Sequence, residues 1–223
     1  MFRYLSLDVH IIATGSSCSM EDRAVGAVCL ANENGDIEYF ALIKHNKPVS
    51  SYFERKTGLS KNYTQYGGIP FEDARKRLRA RLGPDCVLVS HNSKKIPQML
   101  GLRQGKDYHH TLELEDWFKY SSESGECNFT LEHALYWLLD IDIFTGVNSP
   151  FDKAVYTMCL FRHYKDQDLK EAQETCYKNR TGTVPEFEVM HPVFEGVCQG
   201  TIHQSIKYGT ACACSYRANS SSE

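Results

Sequence analysis

The sequence predicts an α/β fold in which a five-stranded mixed sheet is flanked by helices. Three observations point there: an opening group of β-patterned runs, a change of hydrophobic period from two to about 3.6 after residue 70, and a later alternation of strand-like and helix-like segments. The first run covers residues 2–9. Leu5, Leu7 and Val9 alternate on one face, while Phe2, Tyr4, Ser6 and Asp8 occupy the other, which passes from apolar to polar. Apolar groups on both faces suit a central strand, with Asp8 expected near its exposed tip. Residues 23–31 and 37–44 are two further β-rich runs. The turn-forming stretch Asn32, Glu33, Asn34, Gly35 and Asp36 separates them, so the three runs should form an antiparallel meander.

Over residues 71–82 the pattern is helical: Phe71, Ala74, Leu78 and Leu82 recur behind Pro70, and Gly83 with Pro84 stops them. Residues 86–90 are a short, mainly apolar run, as expected of a strand covered on both faces. A short helix is expected over 95–100, where Pro97 is tolerated in the first turn, and a fifth strand over 108–112. Residues 129–139 and 151–164 read as amphipathic helices. Together these elements define a domain over residues 1–165. A charged helix over 166–178 then opens a C-terminal extension, residues 166–223, which is irregular, rich in Gly, Cys and His, and expected to be disordered at its Ser-rich end.

Length fits this organisation, since 223 residues suit one domain with an extension. Twenty-five basic and 28 acidic side chains give a formal charge of −3, which excludes nucleic-acid or membrane binding by bulk charge but leaves room for a local basic face. No apolar run approaches the roughly 18 residues of a membrane span, so no membrane partner is expected. The N-terminal residues read as a strand rather than a signal peptide, which predicts an intracellular protein, cytoplasmic or nuclear, whose nine cysteines are reduced. Cys198, His203, Cys212 and Cys214 supply four soft ligands within a short tail, a candidate structural zinc site. Their spacing fits no standard finger, and packed free thiols are the simpler reading.

The residues from Asp8 to Gly15 are similar to the Asp-x-Glu-Met-Val-Gly-x-Gly opening of Rex-type RNA exonucleases, DEDDh members of the RNase H-like superfamily of 3′–5′ exonucleases. The similarity continues in order through residues 24–31, Asn34 and Gly35, Pro48 and Val49, Tyr52, residues 57–59, residues 87–92 and residues 154–161. It covers about residues 1–165 and implies the RNase H-like fold. It also implies a site in which four carboxylates hold two divalent ions and a histidine prepares the attacking water. Asp8 matches the first carboxylate. His10 stands in place of the Glu, Ile96 in place of the third carboxylate, Asn148 in place of the general-base His, and Lys153 in place of the last Asp.

An Asp, a neutral His, an Ile and a Lys sum to about zero charge, too little to cage two divalent ions. The leading expectation is therefore a pseudo-nuclease: no catalytic residues and no cofactor, but an RNA-binding or scaffold role, with protein partners, in an RNA-processing or silencing complex. Asp152 leaves a second reading open. One residue from the expected acidic position, it could join Asp8 and His10 around Mg²⁺ or Mn²⁺ in a divergent 3′–5′ exoribonuclease, or it could simply cap the last helix near Ser149. A third reading is a protein-interaction module without RNA binding. For single-stranded RNA, the resemblance places Ile11 and Ile12 against a terminal nucleotide. Lys44, Lys47, Arg55, Lys56, Lys94 and Lys95 are candidate phosphate contacts, with Tyr52 available to stack. Arg75, Lys76, Arg77, Arg79 and Arg81 on the first helix form either a second basic face or merely a solvated one.

Overall fold

The computed structural model describes residues 2–91, 95–122, 125–143, 149, 151–179 and 193–199, with backbone alone at 63–65, 121–122 and 125–127. Five strands make the main sheet: β1 (Arg3–Ala13), β2 (Arg23–Asn32), β3 (Ile37–Leu42), β4 (Cys86–Ser90) and β5 (His110–Glu113), in the order β3-β2-β1-β4-β5. The meander β1-β2-β3 is antiparallel, whereas β4 and β5 run parallel to β1. The sheet is thus mixed, as the patterns predict, and β1 lies at its centre.

Helices close both faces. On one side α3 (Phe71–Arg79) and α4 (Ile96–Met99) cover Leu5, Leu7, Val28, Leu30 and Leu88, burying Ala74, Leu78, Ile96 and Leu100 among them. On the other side α5 (Leu131–Leu139), α6 (Asp152–Tyr164) and α7 (Lys170–Lys178) pack over Cys29, Ala31 and Val89. The small side chains Ala27, Cys29 and Ala31 of β2 let α6 approach closely and bury Ala154, Met158 and Phe161. Thr130 caps α5 through its hydroxyl, which accepts from the His133 N–H. None of the described helices is long and apolar enough to cross a membrane.

Several boundaries differ from the sequence expectation for identifiable reasons. β1 continues to Ala13 because β2 pairs with it from Leu5 to Ala13, so Asp8 lies in mid-strand at 5% exposure rather than at an open tip. α3 ends at Arg79, where Ala80 and Arg81 turn back onto Lys76 and Leu78 before Gly83 is reached. β5 starts two residues later than predicted, in register with β4. Four features carried no periodic signal: the short helices α1 (Glu54–Thr57) and α2 (Lys61–Gly67), the hairpin of β6 (Lys119–Ser122) with β7 (Gly125–Asn128), and a small hairpin of β8 (Val193–Phe194) with β9 (Val197–Cys198). The helix placed by sequence in a separate extension, α7, buries Ala172 and Cys176 in the same apolar cluster as α5 and α6.

Candidate functional site

A cavity of about 230 Å³ opens beside the middle of β1, where α5 and α6 begin. Asp8, Val9, His10 and Ile11 form its floor. Lys56 and Thr57 from α1, Leu131 and Glu132 from α5, and Ser149, Asp152, Lys153 and Tyr156 at the start of α6 form its walls. The sheet sets this arrangement. Alternation along β1 sends Tyr4, Ser6, Asp8 and His10 toward the α5–α6 layer, and the first turn of α6 brings Asp152 and Lys153 to the same opening.

Asp8 and His10 are both buried, and His10 Nε2 lies 3.7 Å from Asp8 Oδ2, beyond hydrogen-bond range. Asp8 faces Cys29 across the ladder. Burial, followed by the carboxylates of Asp8 and Asp152, pushes the Cys29 thiol up to about 12. Asp152 lines the cavity, and its Oδ2 accepts the Ser149 N–H at 2.6 Å just ahead of α6, so it does not simply face solvent.

Lys153 lines the cavity, and its charge reaches His91 at the end of β4. Burial first, and then Lys153, hold His91 down at about 3, so this ring is neutral at physiological pH. Three carboxylates (Asp8, Glu132 and Asp152) are opposed in the cavity by two ammonium groups (Lys56 and Lys153), leaving one formal negative charge. Among the described residues no three His, Cys, Asp or Glu side chains gather closely enough to hold a metal ion. The donors present do not fit a two-ion centre, whose four positive charges need a concentrated carboxylate cage.

The remaining sequence candidates scatter. Ile96 is 8% exposed and packs under the sheet with Leu5 and Leu7, away from the cavity. Ile12 is fully buried with Ala27 and Leu59, which corrects its assignment to a nucleotide-facing surface. Ile12 shares the face of Ala27, where Leu59 covers it; the bulge opposite His10 and Ile11 places its extra residue, Gly26, on β2 and leaves the alternation of β1 intact. Ile11 keeps its place on the cavity floor. Tyr52 is half-buried against the Ile12 cluster. Of the described basic candidates only Lys56 reaches the cavity. Lys44, Arg55 and Lys95 are exposed elsewhere, and Lys47 lines a separate depression of about 500 Å³ with Arg23, His45 and Phe71. On α3 and just beyond it, Arg75 pairs with Glu72, Arg79 binds the Gly101 carbonyl, and Arg81 stacks on Tyr39 and donates to the Glu38 carbonyl. Much of that basic face is thus engaged in holding the fold. Asn148, Lys94, His203, Cys212 and Cys214 lie outside the described residues, while Cys198 is buried in β9.

Sequence reasoning missed Glu132 and Tyr156. Tyr156 was within reach, since it follows Asp152 and Lys153 by four and three residues on a helix already recognised. Glu132 carried no signal until the position of α5 against β1 was known.

No protein-family model matches the sequence, and no curated protein matches it either. Solved structures do. The yeast Saccharomyces cerevisiae Pan2 pseudoubiquitin hydrolase–RNA exonuclease module in complex with A7 RNA superposes with a TM-score of 0.67 at 13% identity, over 82% of this chain and 33% of that one. The same module with AACCAA RNA gives 0.66 at 13% identity and the same coverage. The Neurospora crassa Pan2 catalytic unit, protease and nuclease domain, gives 0.62 at 12% identity, over 82% of this chain and 30% of that chain. This chain therefore spans about a third of the length of those proteins. At such low identity the likeness is one of fold, and the chain has the α/β, RNase H-like exonuclease fold, a mixed five-stranded sheet flanked by helices.

Proposed function

We propose that this chain is a degenerate, Rex-type relative of the exonucleases that holds single-stranded RNA without cutting it. The observation that carries the proposal is the pair of lysines, Lys56 and Lys153, in the cavity that contains Asp8. In two-ion hydrolysis the metals neutralise the phosphate. Here the chain's own ammonium groups supply positive charge at that place, each up to about 4 kcal/mol at 4 Å and an effective dielectric of about 20, less the repulsion of the carboxylates in the same cavity. They bind a phosphate but offer neither a nucleophile nor a means of activating water. His91 does not fill that gap, because it is buried and, held down at about 3, too weak a base to draw a proton from water. Complexes of the Pan2 modules of the same fold with short RNAs support RNA as the ligand class. A domain that binds and does not cleave acts by presenting RNA to protein partners, as in an RNA-processing or silencing complex.

Asp152 favours a second reading, because it lines the cavity with Asp8 and His10: a divergent 3′–5′ exoribonuclease that uses these three residues with Mg²⁺ or Mn²⁺. One experiment separates the two. Purified protein is mixed with a 5′-labelled single-stranded RNA in EDTA, Mg²⁺ or Mn²⁺, with binding read by anisotropy and length by gel. The pseudo-nuclease binds equally well in all three and leaves the RNA intact. Metal-dependent shortening from the 3′ end that is lost in both Asp8→Asn and Asp152→Asn establishes the enzyme instead. Absence of salt-dependent binding points to a protein-interaction module.

A further inference from the structure

The hairpin of β8 and β9 lies far from the cavity in sequence, yet it is clamped onto the segment that delivers Lys56. Its turn has two residues, Glu195 and Gly196, both at positive φ (50° and 76°). That geometry matches the twist of a tight hairpin. Gly196 adopts it freely. Glu195 does not, since a left-handed conformation costs a residue with a Cβ about 1–2 kcal/mol. A contact offsets that strain: the Glu195 carboxylate accepts from the Ser51 hydroxyl.

Ser51 is 4% exposed, and the same hydroxyl accepts the Phe53 N–H at 2.9 Å. Phe53 is itself left-handed (φ 49°, ψ 46°) and is the N-cap of α1. Its carbonyl receives the N–H groups of Lys56 and Thr57, each at 2.8 Å. The strained backbone at Phe53 thus sets the direction in which α1 starts, and α1 carries Lys56 and Thr57 into the cavity. Two further contacts hold this joint. Val197 packs with Phe53 and Ala13 in a small apolar cluster. The Arg23 guanidinium sits 5.5 Å from the centre of the Phe53 ring while donating to the Cys198 carbonyl at 2.6 Å and the Ser17 carbonyl at 2.6 Å. The Cys198 N–H in turn donates to the Ser16 carbonyl at 3.0 Å.

We infer that the 193–198 hairpin is a positioning element of the RNA site, acting through Glu195, Ser51 and Phe53 to fix the start of α1 and hence the place of Lys56. Two strained residues facing one another across a single hydroxyl mark a joint whose geometry the surrounding structure over-determines. Any covalent change or partner that pulls the hairpin away releases α1 and loosens the grip on RNA. This inference rests on the RNA-holding role proposed above, so its test has one arm that needs RNA and one that does not.

The full-length chain is prepared as wild type, Glu195→Ala and Glu195→Gln. Amide hydrogen exchange of residues 51–59 is expected to quicken in Glu195→Ala and to return toward wild type in Glu195→Gln, whose amide oxygen still accepts from Ser51. RNA affinity is expected to fall about tenfold in Glu195→Ala, the effect of one charge-assisted hydrogen bond, and to recover in Glu195→Gln. Unchanged exchange at 51–59 in Glu195→Ala overturns the inference. So does quickened exchange with unchanged affinity, because the joint would then not serve the site. If wild type binds no RNA, the RNA-holding role falls, and the exchange result still decides whether the hairpin positions α1.

Discussion

The two faces of β1 carry opposite kinds of side chain and answer to different constraints. Leu5 and Leu7 are buried under the α3–α4 layer, where only volume and apolarity matter. Ser6, Asp8 and His10 face the α5–α6 layer, buried to 9% exposure or less, where each polar atom must be compensated. The apolar face explains why the exonuclease scaffold is recognisable at 12–13% identity to the Pan2 modules: many side chains of similar size serve equally well there. The polar face is costly to keep, and on the function proposed above it is where the residue types depart from a two-ion site.

Substitutions on each face should break that comparison in different ways. The largest effect belongs to the apolar face. Leu5→Ala, at 1% exposure, is expected to cost about 2–5 kcal/mol in urea unfolding, with RNA affinity per folded molecule unchanged. On the polar side Lys153→Glu reverses the effect: stability stays within about 1 kcal/mol, while RNA affinity falls at least about tenfold. The slope of log affinity against log salt should become shallower by about 0.7 for each phosphate that the protein no longer neutralises.

Acid sharpens the contrast further. The unfolded chain takes up a proton at His91 near pH 6.5, which the folded protein refuses until about pH 3. Between those values the unfolded state binds more protons, so acidification favours unfolding. Stability should fall by up to about 1.4 kcal/mol per pH unit in that window. His91→Gln should remove this share of the slope, whatever its stability at neutral pH. The smallest effect concerns thiols. Cys29, Cys86 and Cys176 are all pushed up to about 12, chiefly by burial. Of the cysteines whose side chains are described, Cys18 and Cys159, both half-buried, should therefore be alkylated first in native protein at pH 8.

The legible parts of the fold were those with long periodic runs. The meander, β4, α5 and α6 follow directly from β-rich or continuous apolar runs and from helical spacing, because each buries at least one face. The four-residue helix α1 buries only Thr57, too little to leave a pattern, and tertiary contacts specify it instead. At the site, Asp8, His10, Ile11, Lys56, Asp152 and Lys153 were named from sequence and do line one cavity. Ile12 was misplaced because Leu59 folds over its face of β1, a long-range contact that residue types do not announce. The role of Glu195 was hidden for a different reason. Its partner Ser51 is 144 residues away, and only the folded chain brings the two together.

Manganese binding to the RNA-free protein tests the central claim most directly, because it asks whether the cavity beside Asp8 can cage divalent charge at all. Calorimetric titration of the wild type should detect no binding tighter than about millimolar, and Asp8→Asn should behave identically. Micromolar uptake of Mn²⁺ by the wild type, abolished in Asp8→Asn, would contradict the claim and return the site to metal-dependent hydrolysis.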